Sequence, residues 1–187
     1  MPGTGVASDA TLKQHDPGPG HPEQPARLQA ALSRLPPATL IASRAATDDE
    51  LALAHTRDYI RLVEREVAQH RSQLSTGDTS VNAQSAACAR MAAGCALAAV
   101  NAVFARQVRH ALCAVRPPGP HASAARGMGL SWLPGDAFRE QGVPVRNRLA
   151  VQDAVGDLDG LPAAGGVDER RRQLAVLWRD AGIAVHR

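Results

Sequence analysis

The chain has 187 residues, a formal net charge of +3 at pH 7 and only 3% aromatic residues, which suits one domain with a core of small aliphatic side chains. Its Lys and Arg residues are scattered without aromatic interleaving, which argues against a nucleic-acid partner. No apolar run approaches the ~18 residues of a membrane span, the first residues lack the charged and apolar regions of a secretion signal, and three cysteines fit a reducing compartment; a cytoplasmic location is the expectation.

In chain order, Val6 to Leu12 reads as a weakly patterned first strand, and Asp16-Pro-Gly-Pro-Gly20 as a loop that neither a helix nor a central strand can continue through. His15, Asp16 and His21 invite a metal reading, but nothing local brings them together, and a polar loop is the simpler account. A helix introduced by His21-Pro22-Glu23 carries Leu28, Leu32 and Leu35 at helical spacing and closes at Pro36-Pro37. Thr39 to Ser43 is a short second strand. Thr47-Asp-Asp-Glu50 fits a capping box at the start of a helix running to Ala54. The next helix, Arg57 to Gln69, buries Tyr59, Leu62, Val63 and Val67 and turns Arg61, Glu64 and Arg65 to water.

Gln73 to Gly77 is a loop that ends in Asp78-Thr79. Asp78 either caps a long Ala-rich helix from about Ser80 to Arg106 or holds a substrate, and the two roles can coexist. The helix, Gly94 included, is slim enough to pack tightly on a sheet, and its Cys88 and Cys95 read as buried thiols. Ala111 to Val115 is a short buried strand, followed by a rigid turn, Pro117-Pro-Gly-Pro120, that ends at His121. If that strand opens into the crevice of a parallel sheet, His121 stands where a general base or ligand is useful; otherwise it is a surface histidine. Residues 131–166 lack sustained periodicity and read as loop, with one amphipathic helix expected from Asp168 to Asp180 and a short strand at Ile183 to Val185.

The run Cys113-Ala-Val-Arg-Pro-Pro-Gly-Pro-His-Ala122, ending in Met128-Gly129, resembles the active-site loop of the zinc-dependent histone deacetylase family, which includes bacterial acetylpolyamine amidohydrolases and acetoin-utilisation proteins. His15-Asp-Pro-Gly-Pro-Gly-His-Pro-Glu-Gln-Pro-Ala-Arg-Leu28 is similar to that family's amino-terminal signature, Leu51-Ala-Leu-Ala-His-Thr-Arg-Asp-Tyr59 to its second segment and Gly77-Asp-Thr79 to its third. The resemblance covers about residues 5 to 130. It implies an α/β fold, a three-layer αβα sandwich with a parallel sheet of the arginase–deacetylase type, incomplete at its C-terminal side. Residues 1–130 are then the N-terminal part of a deacetylase-like domain and 131–187 a divergent, loop-rich tail.

By the same resemblance the chemistry is zinc-dependent hydrolysis of an acetylated amine, either acetyl-lysine or an acetylpolyamine. His121 matches the general base, Asp78 the aspartate that grips the substrate backbone, and Arg27 the arginine of an internal cavity under the active site; His55 matches a structural histidine. Two departures point to impaired catalysis. Pro120 stands where the family carries the first of two adjacent histidines, and a prolyl ring moves no proton. The family's zinc ligands come from an Asp-x-His motif and a later aspartate, whereas this chain offers Asp157 and Asp159, a pair better suited to Mg or Ca, or to a plain turn. No metal ligand is assigned. The alternative is a catalytically dead remnant or a non-enzymatic interaction module on the same scaffold. The abrupt loss of pattern after Gly129 points to a frameshift or a fusion of unrelated sequence.

Overall fold

The computed structural model describes residues 3–119 and 122–127. Three short strands, β1 (Thr4–Ala7), β2 (Thr39–Ile41) and β3 (His110–Cys113), form a parallel sheet in the order β2-β1-β3. Val6 pairs with Leu40 on one side and Leu112 on the other. Four α-helices connect them: α1 (Pro25–Leu32), α2 (Asp48–Leu51), α3 (Arg57–Ala68) and α4 (Ser85–Phe104).

Small residues set the spacing of the layers. Ala7 and Ala111 on the sheet share a buried cluster with Ala92, Cys95, Ala99 and Ala102 of α4, so helix and sheet meet through short side chains. A second cluster lies between α3 and α4, where Tyr59, Val63 and Val67 pack on Leu74, Val81 and Ala89. The expected amphipathic pattern of α3 therefore holds for Tyr59, Val63 and Val67, while Leu62 is only half-buried and Ile60, unremarked in the pattern, is buried.

The capping box forms as expected: the Thr47 hydroxyl accepts from the Glu50 amide, and the Glu50 carboxylate accepts from the Thr47 amide at 2.8 Å. Several boundaries differ: α1 stops at Leu32, short of Leu35, α2 at Leu51, short of Ala54, and β2 and β3 at Ile41 and Cys113, each two residues early. The first strand ends at Ala7, because Asp9 accepts from the Thr11 amide at 2.8 Å and caps a 3-10 helix, Ala10–Gln14, that takes Leu12 out of the sheet. The long helix starts at Ser85 rather than near Ser80, because residues 72–81 fold back on themselves, Leu74 donating to the Thr79 carbonyl and Val81 to that of Ser72. The residue preceding α4 is Gln84, so Asp78 is not its cap.

Candidate functional site

A strand order of β2-β1-β3 means that the chain leaves β1 in one direction and returns past it to build β3 on the other side. The crevice between the C-terminal ends of β1 and β3 is then the position at which open parallel sheets receive ligands. Two segments leave the sheet there: Ser8-Asp9, and Ala114 to Gly119, which leads towards His121. His121 and its neighbour Pro120 lie outside the described residues, as do Asp157 and Asp159.

Asp78 is exposed near the tip of the 72–81 loop. That loop is braced from α3 by Glu66, whose buried carboxylate accepts from Arg71 at 2.7 Å and from the Ser75 amide at 2.8 Å. Burial acts to raise the Glu66 pKa, but the bonds from Ser75 and Arg71 outweigh it and hold the carboxyl below its ordinary value. Tyr59, buried on the same helix, is pushed up to about 12 chiefly by burial, with a hydrogen bond to Thr76 acting against it.

The turn 122–127 closes onto this loop. Arg126 Nε donates to the Thr76 carbonyl at 2.7 Å, and the Gly127 amide to the Thr76 hydroxyl at 3.4 Å. From the other side His55 Nδ1 donates to the Ala124 carbonyl at 3.2 Å and the Thr56 amide to the same oxygen at 2.9 Å. His55 thus has the structural character its motif suggested. Its Nε2 is buried without a hydrogen-bond partner among the described residues, and burial lowers its pKa to about 4, so it is a neutral donor at Nδ1.

His15, Asp16 and His21 take separate duties. His15 is buried and meets the Ser85 hydroxyl at 2.8 Å, and its pKa falls to about 4 through burial and then through the nearby Arg116 charge. Asp16 accepts from the Gly18 amide in a local turn, and His21 Nδ1 accepts from the Glu23 amide. Arg27, matched to a cavity arginine, stands on α1 with its side chain 62% exposed and its Nη1 2.7 Å from the Glu23 carboxylate. The buried guanidinium at this end of the sheet belongs to Arg116, 2.8 Å from the other Glu23 oxygen.

Sequence reasoning missed Arg116, Glu23 and Glu66 as organising residues. Arg116 and Glu23 meet across 93 positions, a separation no local pattern reports. The available hint was a charge directly abutting an apolar strand, since a charge drawn into a core requires a partner.

Among the described residues no group of three or more His, Cys, Asp or Glu is placed to hold a metal ion. They therefore do not fit a zinc centre, and no chemical step is assigned to one. What they form is the carboxylate loop, the turn that closes on it and the root of the segment bearing His121.

Known proteins share this arrangement of chain. The family model described as "Histone deacetylase domain" matches residues 21–133. Histone deacetylase 15 of Arabidopsis thaliana is 34% identical over 117 residues, which are 59% of this chain and 21% of that protein. Polyamine deacetylase HDAC10 of Homo sapiens is 35% identical over 119 residues, 58% of this chain and 18% of that protein. A probable deacetylase of Archaeoglobus fulgidus is 29% identical over 139 residues, 70% of this chain and 38% of that one. The crystal structure of the HDA15 HD domain superposes with a TM-score of 0.66 at 29% identity, covering 73% of this chain and 42% of that domain. The chain spans about a fifth of the length of the first two relatives. Its parallel sheet and packed helices are an incomplete α/β fold of the arginase–deacetylase type, and with residues 21–133, more than half of its length, matched, the chain belongs to the histone deacetylase domain family.

Proposed function

We infer that this chain carries the amino-terminal half of a site for hydrolysing acetylated amines, acetyl-lysine or an acetylpolyamine, and that catalysis in it is impaired. The carrying observation is the pair of bonds from Arg126 and Gly127 to Thr76, which sets the Asp78 loop beside the segment that follows His121 in the chain. In this reading Asp78 accepts hydrogen bonds from the substrate's amide groups. His121 takes a proton from the attacking water and returns it to the leaving amine, so that acetate and the amine are released. Zinc belongs to the reading as the family's cofactor, with its ligands to be sought outside the described residues. A reducing, cytoplasmic setting fits three free thiols, two of them fully buried.

Pro120 favours the second reading, a non-enzymatic module on the same scaffold, because it replaces a group that could assist His121 by hydrogen bonding. Loss of one such group at a reacting centre costs a factor of about 100 or more. The experiment is acetate release from an acetyl-lysine peptide and from N-acetylputrescine, with added zinc, by the parent chain, Pro120→His and His121→Ala. Release that rises in Pro120→His and vanishes in His121→Ala supports the hydrolase. No release by any of the three, with no zinc retained after dialysis, rejects it in favour of the module.

A further inference from the structure

Arg116 lies three residues beyond β3, and its side chain is 3% exposed. Its guanidinium is shared among three stretches of chain. Nη1 donates to the carbonyl of Leu12 at 3.1 Å and to that of His15, while Nη2 donates to the Glu23 carbonyl at 3.2 Å. Nε donates to the Glu23 carboxylate at 2.8 Å, so one planar group satisfies acceptors on the 3-10 helix, the loop after it and the approach to α1. The turn Pro117-Pro118-Gly119 follows immediately, with Pro117 and Gly119 buried.

Stability alone does not account for a charge here. A buried ion pair contributes little net stability relative to an apolar replacement, because desolvation offsets the attraction. Geometry does account for it. A fork of five N–H donors in fixed directions is satisfied in one arrangement of its acceptors, which a lysine's single rotatable ammonium cannot enforce.

We propose that Arg116 is a positioning residue: by tying the 3-10 helix, the His15 loop and Glu23 to the end of β3, it fixes the direction in which the turn towards His121 leaves the β1–β3 crevice. The inference rests on reading that turn as part of the acetylated-amine site. Arg116 is not a catalytic residue, since it is sealed among carbonyls and a carboxylate.

The test uses the whole chain with Arg116→Lys, the gentler Glu23→Gln, and Leu28→Ala, a truncation of a buried core leucine, as control. Amide hydrogen exchange is read at Ala122 and Ser123, whose N–H groups donate to Gly119 and Arg126 carbonyls, and at Ala99 in the middle of α4. Positioning predicts that Arg116→Lys speeds Ala122 and Ser123 about tenfold relative to Ala99, with a smaller rise at the same two amides in Glu23→Gln. Leu28→Ala, matched for loss of Tm, speeds all three amides alike. A uniform rise in Arg116→Lys, or none, overturns the proposal; if that variant does not fold, the same comparison in Glu23→Gln decides. Acetate release is scored separately. A parent chain without turnover rejects the hydrolase reading while the exchange result still judges the clamp. In an active parent, a fall in kcat without a matching change in KM supports positioning, and a change confined to KM counts against it.

Discussion

Gly77 lies directly under the backbone of Gly127: a Cβ on Gly77 would stand 2.9 Å from the Gly127 carbonyl oxygen. The contact is backbone against backbone, so neither side can yield by changing a rotamer. Gly77→Ala is therefore expected to push the 72–81 loop away from the 122–127 turn and to weaken the Arg126 and Gly127 bonds to Thr76. The strain of such overpacking is about 1–3 kcal/mol. Urea unfolding should show that loss, and exchange at Ser123 and Gly127 should rise more than at Ala99. Unchanged exchange in the turn would mean that the loops are held independently of this contact.

Gly94 makes the opposite of the usual helix expectation. Replacing a mid-helix glycine by alanine ordinarily stabilises by about 0.5–1 kcal/mol. Here a Cβ would lie 1.7 Å from the Arg44 carbonyl oxygen, because residues 44–46 cross the helix at that point, with the Ala46 amide donating to the Arg90 carbonyl at 2.9 Å. Gly94→Ala should lower stability by about 2–3 kcal/mol, at the upper end of overpacking effects. A Tm equal to or above that of the parent chain would show that the crossing can move aside.

These two glycines mark how far the sequence could be read. The capping box at Thr47 and the apolar stripe of α3 are local patterns with one physical outcome, and both form. Gly94 was legible as part of a slim helix, yet the reason for its missing side chain lies in a strap fifty residues earlier in the chain. The parallel sheet followed from the family likeness, but its order β2-β1-β3, and hence the crevice, came only with the structure, since strands of three and four residues carry little periodicity. Arg116 and Glu23 escaped because a buried pair is a property of the assembled core, whereas Asp78 and Arg27 were visible as motif positions.

The cysteines provide a check on the core. Cys88 and Cys95 are fully buried, and burial raises the pKa of both; Cys113 is pushed up to about 12 by burial. Thiolate is the reactive form, so all three should resist a thiol reagent in the folded chain and react together on unfolding. Titration with such a reagent at pH 8 should label fewer than one thiol per chain without denaturant and all three in 6 M guanidinium. Rapid native labelling of Cys95 would contradict the α4–sheet packing.

Acid should loosen the site through its two buried histidines. His15 and His55 have pKa values lowered to about 4 by burial, whereas in an unfolded chain each returns to its ordinary value near 6.5. Between those limits the unfolded state binds more protons, so stability rises with pH and is lost as pH falls from about 6.5 towards 4. The full effect is of order 3 kcal/mol for each histidine. His55 is the more informative of the two, because it donates to the Ala124 carbonyl and its buried Nε2 offers a new proton no acceptor among the described residues. Denaturant midpoints measured from pH 7.5 to 4.5 should fall steadily, and His55→Gln should flatten part of that slope while lowering stability at pH 7. A midpoint independent of pH across this window would mean that both imidazoles reach water in solution, and that Ala124 is held by the Thr56 amide alone.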